Sequence, residues 1–270
     1  MAKVRLDTLM YKKGLTSSRE KARALILAGE VRVNGLMVDK PGTALEEEVD
    51  VQIVSSRSRY VSRGGFKLEK AIFDFGIDFS NRIILDIGAS TGGYTDCALQ
   101  NGARRVYAVD VGYGQLDWSL RNDSRVVNLE RTNIRYLTRE SLKDDIDIIT
   151  MDVSFISVTK IFPVIKNFIK PDGWIISLIK PQFEAGKNKV GKKGVVRDKV
   201  VHQEVLTNCI HEAQKVGLEC CAVTYSPIKG PRGNIEYFIC LQKGNTPESW
   251  DDVEDLIFKI VDKAHNELGG

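Results

Sequence analysis

An apolar run, Ile83-Ile84-Leu85, leads into Asp86-Ile87-Gly88-Ala89-Ser90-Thr91-Gly92-Gly93-Tyr94. A short apolar run of this kind is a buried strand. The Gly/Ser/Thr stretch breaks it and opens a helix through Tyr94, Cys97 and Ala98. Strand, glycine turn and helix form a nucleotide-type cofactor site, because glycine lets the backbone come close to a ligand. The residue types narrow the ligand. A dinucleotide fingerprint needs glycine where Ser90 stands. Asp86 would repel a pyrophosphate and suits a ligand with positive charge. S-adenosylmethionine, which carries an ammonium and a sulfonium, is such a ligand. Asp110 ends the next apolar run, where an acidic residue holds ribose hydroxyls. The expected cofactor contacts are Asp86, Gly88, Ala89, Ser90, Gly92, Gly93, Asp110, Val111 and Asp152.

A second set of ionisable residues stands at strand ends. Asp152 terminates the run 146–151, and Lys180 terminates 174–179 and precedes Pro181. Glu236 is expected as the second residue of the last strand. That strand should run antiparallel, which brings its start to the edge where the others end. Ligands bind outside the carboxyl ends of parallel strands. Lys67, in the helix before the first of these strands, is placed to join them. A single charge at a strand end often marks only arrival at solvent. Three on one edge, between apolar strands, make Lys67, Asp152, Lys180 and Glu236 the candidate catalytic set.

The elements that must position these residues alternate strand and helix from residue 82 onward. Strands are expected near 83–87, 105–110, 126–129, 146–152, 174–180, 218–226 and 235–242, with a helix after Gly64-Gly65 that turns Leu68, Ala71, Ile72 and Phe75 inward and helices at about 157–169 and 198–216. Such alternation builds a parallel sheet covered on both faces. Only a turn, 227–234, separates the last two strands, so they pair antiparallel. The fold class is therefore α/β: a Rossmann-like methyltransferase fold, a parallel sheet ending in an antiparallel hairpin. The segment from Thr246 reads as an amphipathic helix, with Val253, Leu256, Ile257 and Ile260 inward, packed on the catalytic domain.

Ahead of this domain lies a small α+β unit. Two short helices are expected within 3–28, the second opening on Ser17 and Glu20 as a capping box. Asn34-Gly35 supplies a type I′ hairpin turn between 31–33 and 36–38, and 49–54 adds a strand. The expected divisions are 1–56, a linker over 57–63, 64–245, and a C-terminal helix over 246–270.

At 270 residues, 43% hydrophobic and 28% charged, the composition is that of a globular protein. No apolar run approaches the roughly 20 residues of a bilayer span, and the first residues lack an apolar leader. A cytoplasmic protein without a membrane partner is expected. The five cysteines show no CxxC pair and His202, His211 and His265 show no ligand spacing, so no metal is expected. Net charge is only +3, but cations cluster in the first 32 residues. That clustering is a footprint for RNA backbone.

Two resemblances sharpen these readings. Arg5-Leu6-Asp7-x-Leu9, Ser18-Arg19-x-x-Ala22, Ile26-x-x-Gly29-x-Val31-x-Val33-Asn34-Gly35 and Lys40-Pro41 resemble the S-four-type RNA-binding module over residues 3–54. It implies RNA docking through the second helix and hairpin, with Arg5, Arg19, Lys21, Arg23 and Arg32 as candidates. Arg63 in the linker and Lys187, Lys189, Lys192 and Lys193 in the basic loop after the Lys180 strand are further RNA candidates, read from charge.

Nearly the whole chain resembles the TlyA family, whose catalytic domain is similar to FtsJ-like ribose 2′-O-methyltransferases. The resemblance rests on Ser62-Arg63-Gly64-Gly65-x-Lys67-Leu68, the 86–93 loop, Met151-Asp152-Val153-Ser154-Phe155-Ile156-Ser157, Lys180-Pro181-Gln182-Phe183-Glu184 and Gly233-Asn234-x-Glu236. It implies S-adenosylmethionine-dependent methylation of cytidine 2′-hydroxyls in ribosomal RNA, with ribosomal RNA or subunits as partner. An older family label, haemolysin, implies a membrane-active rival. The acids Asp251, Asp252, Glu254 and Asp255 make the tail helix unsuited to an anionic membrane. A binding module that assembles on ribosomes without chemistry is the other alternative. Lys180 is expected to face the ribose hydroxyl, either as base or as the group that orients it.

Overall fold

The computed structural model describes residues 3–27, 29–53, 59–244 and 250–269; the side chains of Met37, Lys187, Pro231, Trp250, Asp251 and Asp252 lie outside that description. The chain forms two compact units, residues 1–59 and 60–270. The linker expected over 57–63 falls partly outside the described residues.

In the first unit, β1 (Val4–Arg5) enters α1 (Leu6–Lys12), and α2 (Arg19–Leu27) leads into β2 (Val31–Val33), β3 (Leu36–Met37), β4 (Ala44–Leu45) and β5 (Val51–Ile53). Asn34 (φ 49°) and Gly35 (φ 80°) take the two positive φ angles of the hairpin turn. Strand β2 lies between β3 and β5, both antiparallel to it. The pairing of β1 with β4 is not apparent in the sequence, since two-residue strands carry no periodicity. Leu6, Leu9, Met10, Ala22, Ile26 and Val31 form the core. Buried Asp7 accepts hydrogen bonds from Arg5, Nε to Oδ1 at 3.1 Å and Nη2 to Oδ2 at 2.8 Å. Arg19 Nη2 lies 3.7 Å away. The Arg5 guanidinium pulls the Asp7 carboxyl down to about 2. Arg5 and Arg19 thus anchor the unit as well as facing solvent, whereas Lys21, Arg23 and Arg32 are exposed.

The second unit opens with α3 (Gly64–Phe75), β6 (Ile83–Ile87), α4 (Gly93–Gln100) and β7 (Arg105–Val109). The one-turn α5 (Trp118–Arg121), β8 (Val126–Leu129) and β9 (Ile146–Met151) follow. After them come α6 (Phe162–Ile165), β10 (Ile169–Ile179), α7 (Pro181–Glu184), α8 (Lys199–Lys215), β11 (Leu218–Tyr225), β12 (Tyr237–Lys243) and α9 (Trp250–Leu268). The seven strands order as β11-β12-β10-β9-β6-β7-β8. Strands β6 to β10 are parallel to one another, and β12 is antiparallel to both β10 and β11. The α/β methyltransferase architecture with a small α+β unit before it is the one expected.

Two boundaries differ. The helix expected over 157–169 is a 3₁₀ turn (Val158–Lys160) and the single turn of α6, after which β10 begins at Ile169. Val158, Ile161, Phe162, Ile165 and Phe168 are all buried as their spacing indicated. Pro163 lacks the N–H that would join the two turns into one helix. Glu236 stands just before β12 rather than inside it. Helix α9 is described from Trp250; the start expected at Thr246 lies outside the described residues.

Val253, Ile257, Val261 and Ala264 of α9 join the main core. His202 of α8 lies in that packing, with Nδ1 2.8 Å from Tyr237 Oη and 3.0 Å from His265 Nε2, and Nε2 3.1 Å from Val196 O. Burial, then the neighbouring His265, lower its pKa from 6.5 to about 4. Burial also lowers that of His265, which faces Lys199, Asp262 and Asp198. A histidine with a depressed folded pKa favours the neutral protein. Its contribution is fully present above 6.5 and is lost as pH falls toward about 4. Urea unfolding followed by tryptophan fluorescence should show stability falling across that window. The fall should shrink in His202→Gln. All three tryptophans, Trp118, Trp174 and Trp250, belong to the second unit, so the signal reports that unit alone.

Candidate active site

Strand β6 ends against the start of the 88–93 loop, and the loop is shaped by contacts on both sides. Gly88 (φ 83°) lies so near the end of β9 that a Cβ would sit 2.4 Å from the Asp152 carbonyl oxygen. Gly92 (φ 95°) packs on Leu116 and Leu120, and Gly93 packs the start of α4 on Ser62 and the Gly65 backbone. The loop's N–H groups are used within the protein. Gly88 N and Ala89 N donate to Val109 O at 2.8 and 3.1 Å, and Ser90 N donates to Asp110 Oδ2 at 2.8 Å. The glycines thus serve close approach of chain to chain, the N–H groups of Gly88, Ala89 and Ser90 are bonded within the protein, and Gly88 and Ser90 still line the cavities described below.

Asp110 follows β7 and also accepts from Gly112 N through Oδ1 at 2.7 Å. Each carboxylate oxygen keeps a second lone pair for a ligand hydroxyl. Asp86 is buried beneath the loop: Thr95 Oγ1 donates to Oδ2 at 2.7 Å and Thr150 Oγ1 to Oδ1 at 3.0 Å. Burial raises its pKa to about 6, against the two hydroxyl hydrogen bonds that lower it. Asp86 lines neither cavity described below and acts as the tie between β6, α4 and β9. Thr95 and Thr150 have no signal in the sequence, because a lone threonine in a helix or strand is unremarkable until its partner is known.

Two cavities meet at Gly88, Ser90 and Asp152. One, of about 540 Å³, is lined by Val109, Asp110, Val111, Asn133, Ile134, Phe155 and Ile156 among others. Apolar walls with a few polar groups suit a flat heterocycle and its ribose. The other, of about 570 Å³, is lined by Ser62, Arg63, Lys67, Ala89, Tyr94, Asp152 and the turn from Ile228 to Arg232.

The four candidate catalytic residues converge at this junction. Lys67 Nζ lies 2.5 Å from Glu236 Oε2 and 3.8 Å from Asp152 Oδ2. Lys180 Nζ lies 2.5 Å from Asp152 Oδ1 and 2.9 Å from Ser154 Oγ. Relative exposures are 9% for Lys67, 8% for Lys180 and 0% for Glu236. The carboxylate of Asp152 thus sits between two ammonium groups. Gln182 Nε2 reaches Glu236 Oε1 at 3.5 Å, and Gly230 comes so near this carboxylate that a Cβ would lie 2.0 Å from Oε1. Ser154 and Gln182 sit inside the quoted motifs, yet their partners become visible only in three dimensions.

Phe155 is 91% exposed with φ 65°, an unusual angle for an aromatic residue. Its ring lies 5.1 Å from that of Phe183. Glu184 of α7 accepts from Ser157 Oγ (2.6 Å) and Val158 N (2.9 Å), which ties the segment after β9 to the one after β10. Among the RNA candidates, Arg63 lines the second cavity, Lys189 pairs with Glu204, and Lys192 and Lys193 are exposed; the Lys187 side chain lies outside the described residues.

Residues 60–243 match the family model described as FtsJ-like methyltransferase, and residues 4–51 match that of the S4 domain. The chain belongs to the FtsJ-like methyltransferase family. This FtsJ-like methyltransferase is 44% identical over 264 residues to the 16S/23S rRNA (cytidine-2'-O)-methyltransferase TlyA of Mycobacterium tuberculosis (strain ATCC 25618 / H37Rv), covering 97% of this chain and 98% of that one. It is 46% identical over 235 residues to Hemolysin A of Brachyspira hyodysenteriae, covering 87% and 98%. A solved structure from Streptococcus thermophilus that carries a hemolysin label aligns with a TM-score of 0.78 at 42% identity, covering 99% of this chain and 97% of that one. The TlyA resemblance with its S4 module is thereby established, and S-adenosylmethionine-dependent methyl transfer is the activity of the family.

The donor set fits S-adenosylmethionine. The free lone pairs of Asp110 suit ribose hydroxyls, and Val111, Ile134 and Phe155 suit a planar base. Gly88→Ala should lower affinity for S-adenosylmethionine by about tenfold or more, since a Cβ there displaces the Asp152 carbonyl on a wall that both cavities share. Isothermal titration calorimetry checks this.

Proposed function

We propose that this methyltransferase methylates a ribose 2′-hydroxyl of ribosomal RNA, with cytidine as the target nucleotide. The observation that carries the reading is the Lys67–Glu236 and Lys180–Asp152 pairing at the junction of the two cavities. The name of the Mycobacterium tuberculosis relative agrees with it. So does the basic S4 unit, with Lys21, Arg23 and Arg32 exposed for phosphate contact. The working division is an RNA-binding module over 1–56, a linker over 57–63, a catalytic domain over 64–245 and a C-terminal helix.

When bound, S-adenosylmethionine supplies an electrophilic methyl carbon on a sulfonium whose C–S electron pair stays on sulfur as the bond breaks. A ribose hydroxyl is a weak nucleophile and must lose its proton as its oxygen bonds to that carbon. An ammonium has three donors. Asp152 and Ser154 occupy two at Lys180 Nζ, which leaves the third for the ribose oxygen. Lys180 thereby aims the oxygen lone pair and stabilises developing negative charge. The hydroxyl proton passes to the Asp152 carboxylate. Lys67 holds Asp152 and buried Glu236 in place from the other side. Much of the acceleration comes from fixing the hydroxyl in line with the methyl carbon.

Transfer of labelled methyl to unmodified ribosomal RNA, followed by alkaline hydrolysis, tests the reading. A 2′-O-methyl blocks cleavage at its 3′ phosphate, so label should emerge in a resistant dinucleotide. Label in mononucleotides would mean base methylation. The hemolysin label of relatives predicts instead that purified, detergent-free protein lyses cells. Among the described residues no helix is long and apolar enough to cross a membrane.

A further inference from the structure

The turn between β11 and β12 is built as a rigid wall of the second cavity. Gly230 N donates to Asn234 O at 2.8 Å, and Arg232 (φ 62°) and Gly233 (φ 89°) reverse the chain in two left-handed residues. Asn234 fastens the turn to the segment after the basic loop: Val196 N donates to its Oδ1 at 3.1 Å, and its Nδ2 donates to Gly194 O at 3.0 Å. Arg232 Nη1 adds a bond to Lys193 O at 3.3 Å. A left-handed arginine is disfavoured and ordinarily yields to glycine or asparagine. Here it places a guanidinium on the wall of the cavity that holds Lys67 and Asp152.

The charge on that wall is lopsided. Among the described residues the cavity is lined by four cations, Arg63, Lys67, Lys229 and Arg232, against one carboxylate, Asp152. Lys67 is engaged by Glu236 and Asp152. S-adenosylmethionine carries no phosphate and a single carboxylate, which would engage one of these cations and leave the rest of the excess unaccounted for. A strand of RNA accounts for it, since each nucleotide brings a phosphodiester on either side of its ribose.

We propose that Lys229 and Arg232, together with Arg63, grip the phosphodiesters flanking the ribose that is methylated. The inference rests on the RNA reading above and deepens it: the acceptor strand is held at this cavity by backbone charge, separately from the S4 unit. The fixed turn sets the distance from these phosphates to Lys180, and so selects which ribose is presented.

The test uses the full chain, the Lys229→Gln/Arg232→Gln variant and unmodified ribosomal RNA transcripts, with binding measured across a salt series. The slope of log affinity against log salt should fall by about 1.4, near 0.7 for each single-strand phosphate lost. Methyl transfer should lose about tenfold or more in kcat/KM, mainly through KM. Calorimetric affinity for S-adenosylmethionine should be unchanged, which also shows that the variant is folded. Lys229→Arg/Arg232→Lys should keep the wild-type slope. An unchanged slope in the glutamine variant, or a matching loss of S-adenosylmethionine affinity, overturns the proposal. Absence of methyl transfer by the wild-type protein would overturn the reaction assignment instead, and the binding slopes would still decide the role of the turn.

Discussion

Lys180→Met should reduce methyl transfer by about 10³-fold while leaving S-adenosylmethionine affinity within about threefold of wild type. The side chain is nearly isosteric along its stem, so the loss is the ammonium group. That group joins Asp152 to Ser154 at 2.5 and 2.9 Å and has a third donor for an incoming hydroxyl. Lys180 is not on the wall of the cavity assigned to the cofactor, so cofactor binding should persist. Single-turnover transfer of labelled methyl, with calorimetry alongside, separates the two effects. A variant that keeps wild-type turnover would remove Lys180 from the mechanism. Loss of both binding and turnover would mean that Lys180 shapes the cofactor site.

Lys67→Met should destabilise the second unit by about 3–5 kcal/mol, the cost of leaving a buried partner charge uncompensated. Glu236 has no exposed surface, and besides Lys67 its carboxylate has a long hydrogen bond from Gln182 at 3.5 Å. The double variant Lys67→Met/Glu236→Gln should recover most of that stability, because it removes both charges together. It should remain inactive, since nothing then holds Asp152 from the Lys67 side. Urea unfolding followed by tryptophan fluorescence gives the stabilities, and methyl transfer gives the activity. Restored stability without activity marks the pair as functional. Additive destabilisation in the double variant would deny that the two side chains interact.

Much of the catalytic machinery is legible in one dimension. Asp152 and Lys180 each follow an apolar strand directly, so strand position alone places them on the ligand edge. Glu236 reaches the same edge only because β12 is antiparallel, which the short 227–234 turn implies. Lys67 was harder to place. It lies off the apolar stripe of α3 yet is buried, because its partner Glu236 is 169 residues away.

Asp86 shows the opposite case. Its type and position point to a cofactor ammonium, and the fold adds what the sequence does not show, a hydrogen bond from Thr95 to one oxygen and from Thr150 to the other. A sequence displays a carboxylate but not the hydroxyls that fold back onto it. The missing helix over 157–169 has a similar origin. Helical spacing of apolar residues records which side chains are buried, and here an interrupted chain with Pro163 buries the same set.

The α/β order, the glycine loop, the family and the four candidate ionisable residues can be read along the chain. Each is a matter of local pattern: periodicity, turn chemistry and residue type at a strand end. Folding in three dimensions sets which charges pair, that the N–H groups of Gly88, Ala89 and Ser90 serve Val109 and Asp110, and that Arg232 stands in a cavity wall beside Lys229. Those outcomes depend on contacts between segments far apart in the chain. Their energies come from burial and partner geometry, which no window of sequence contains.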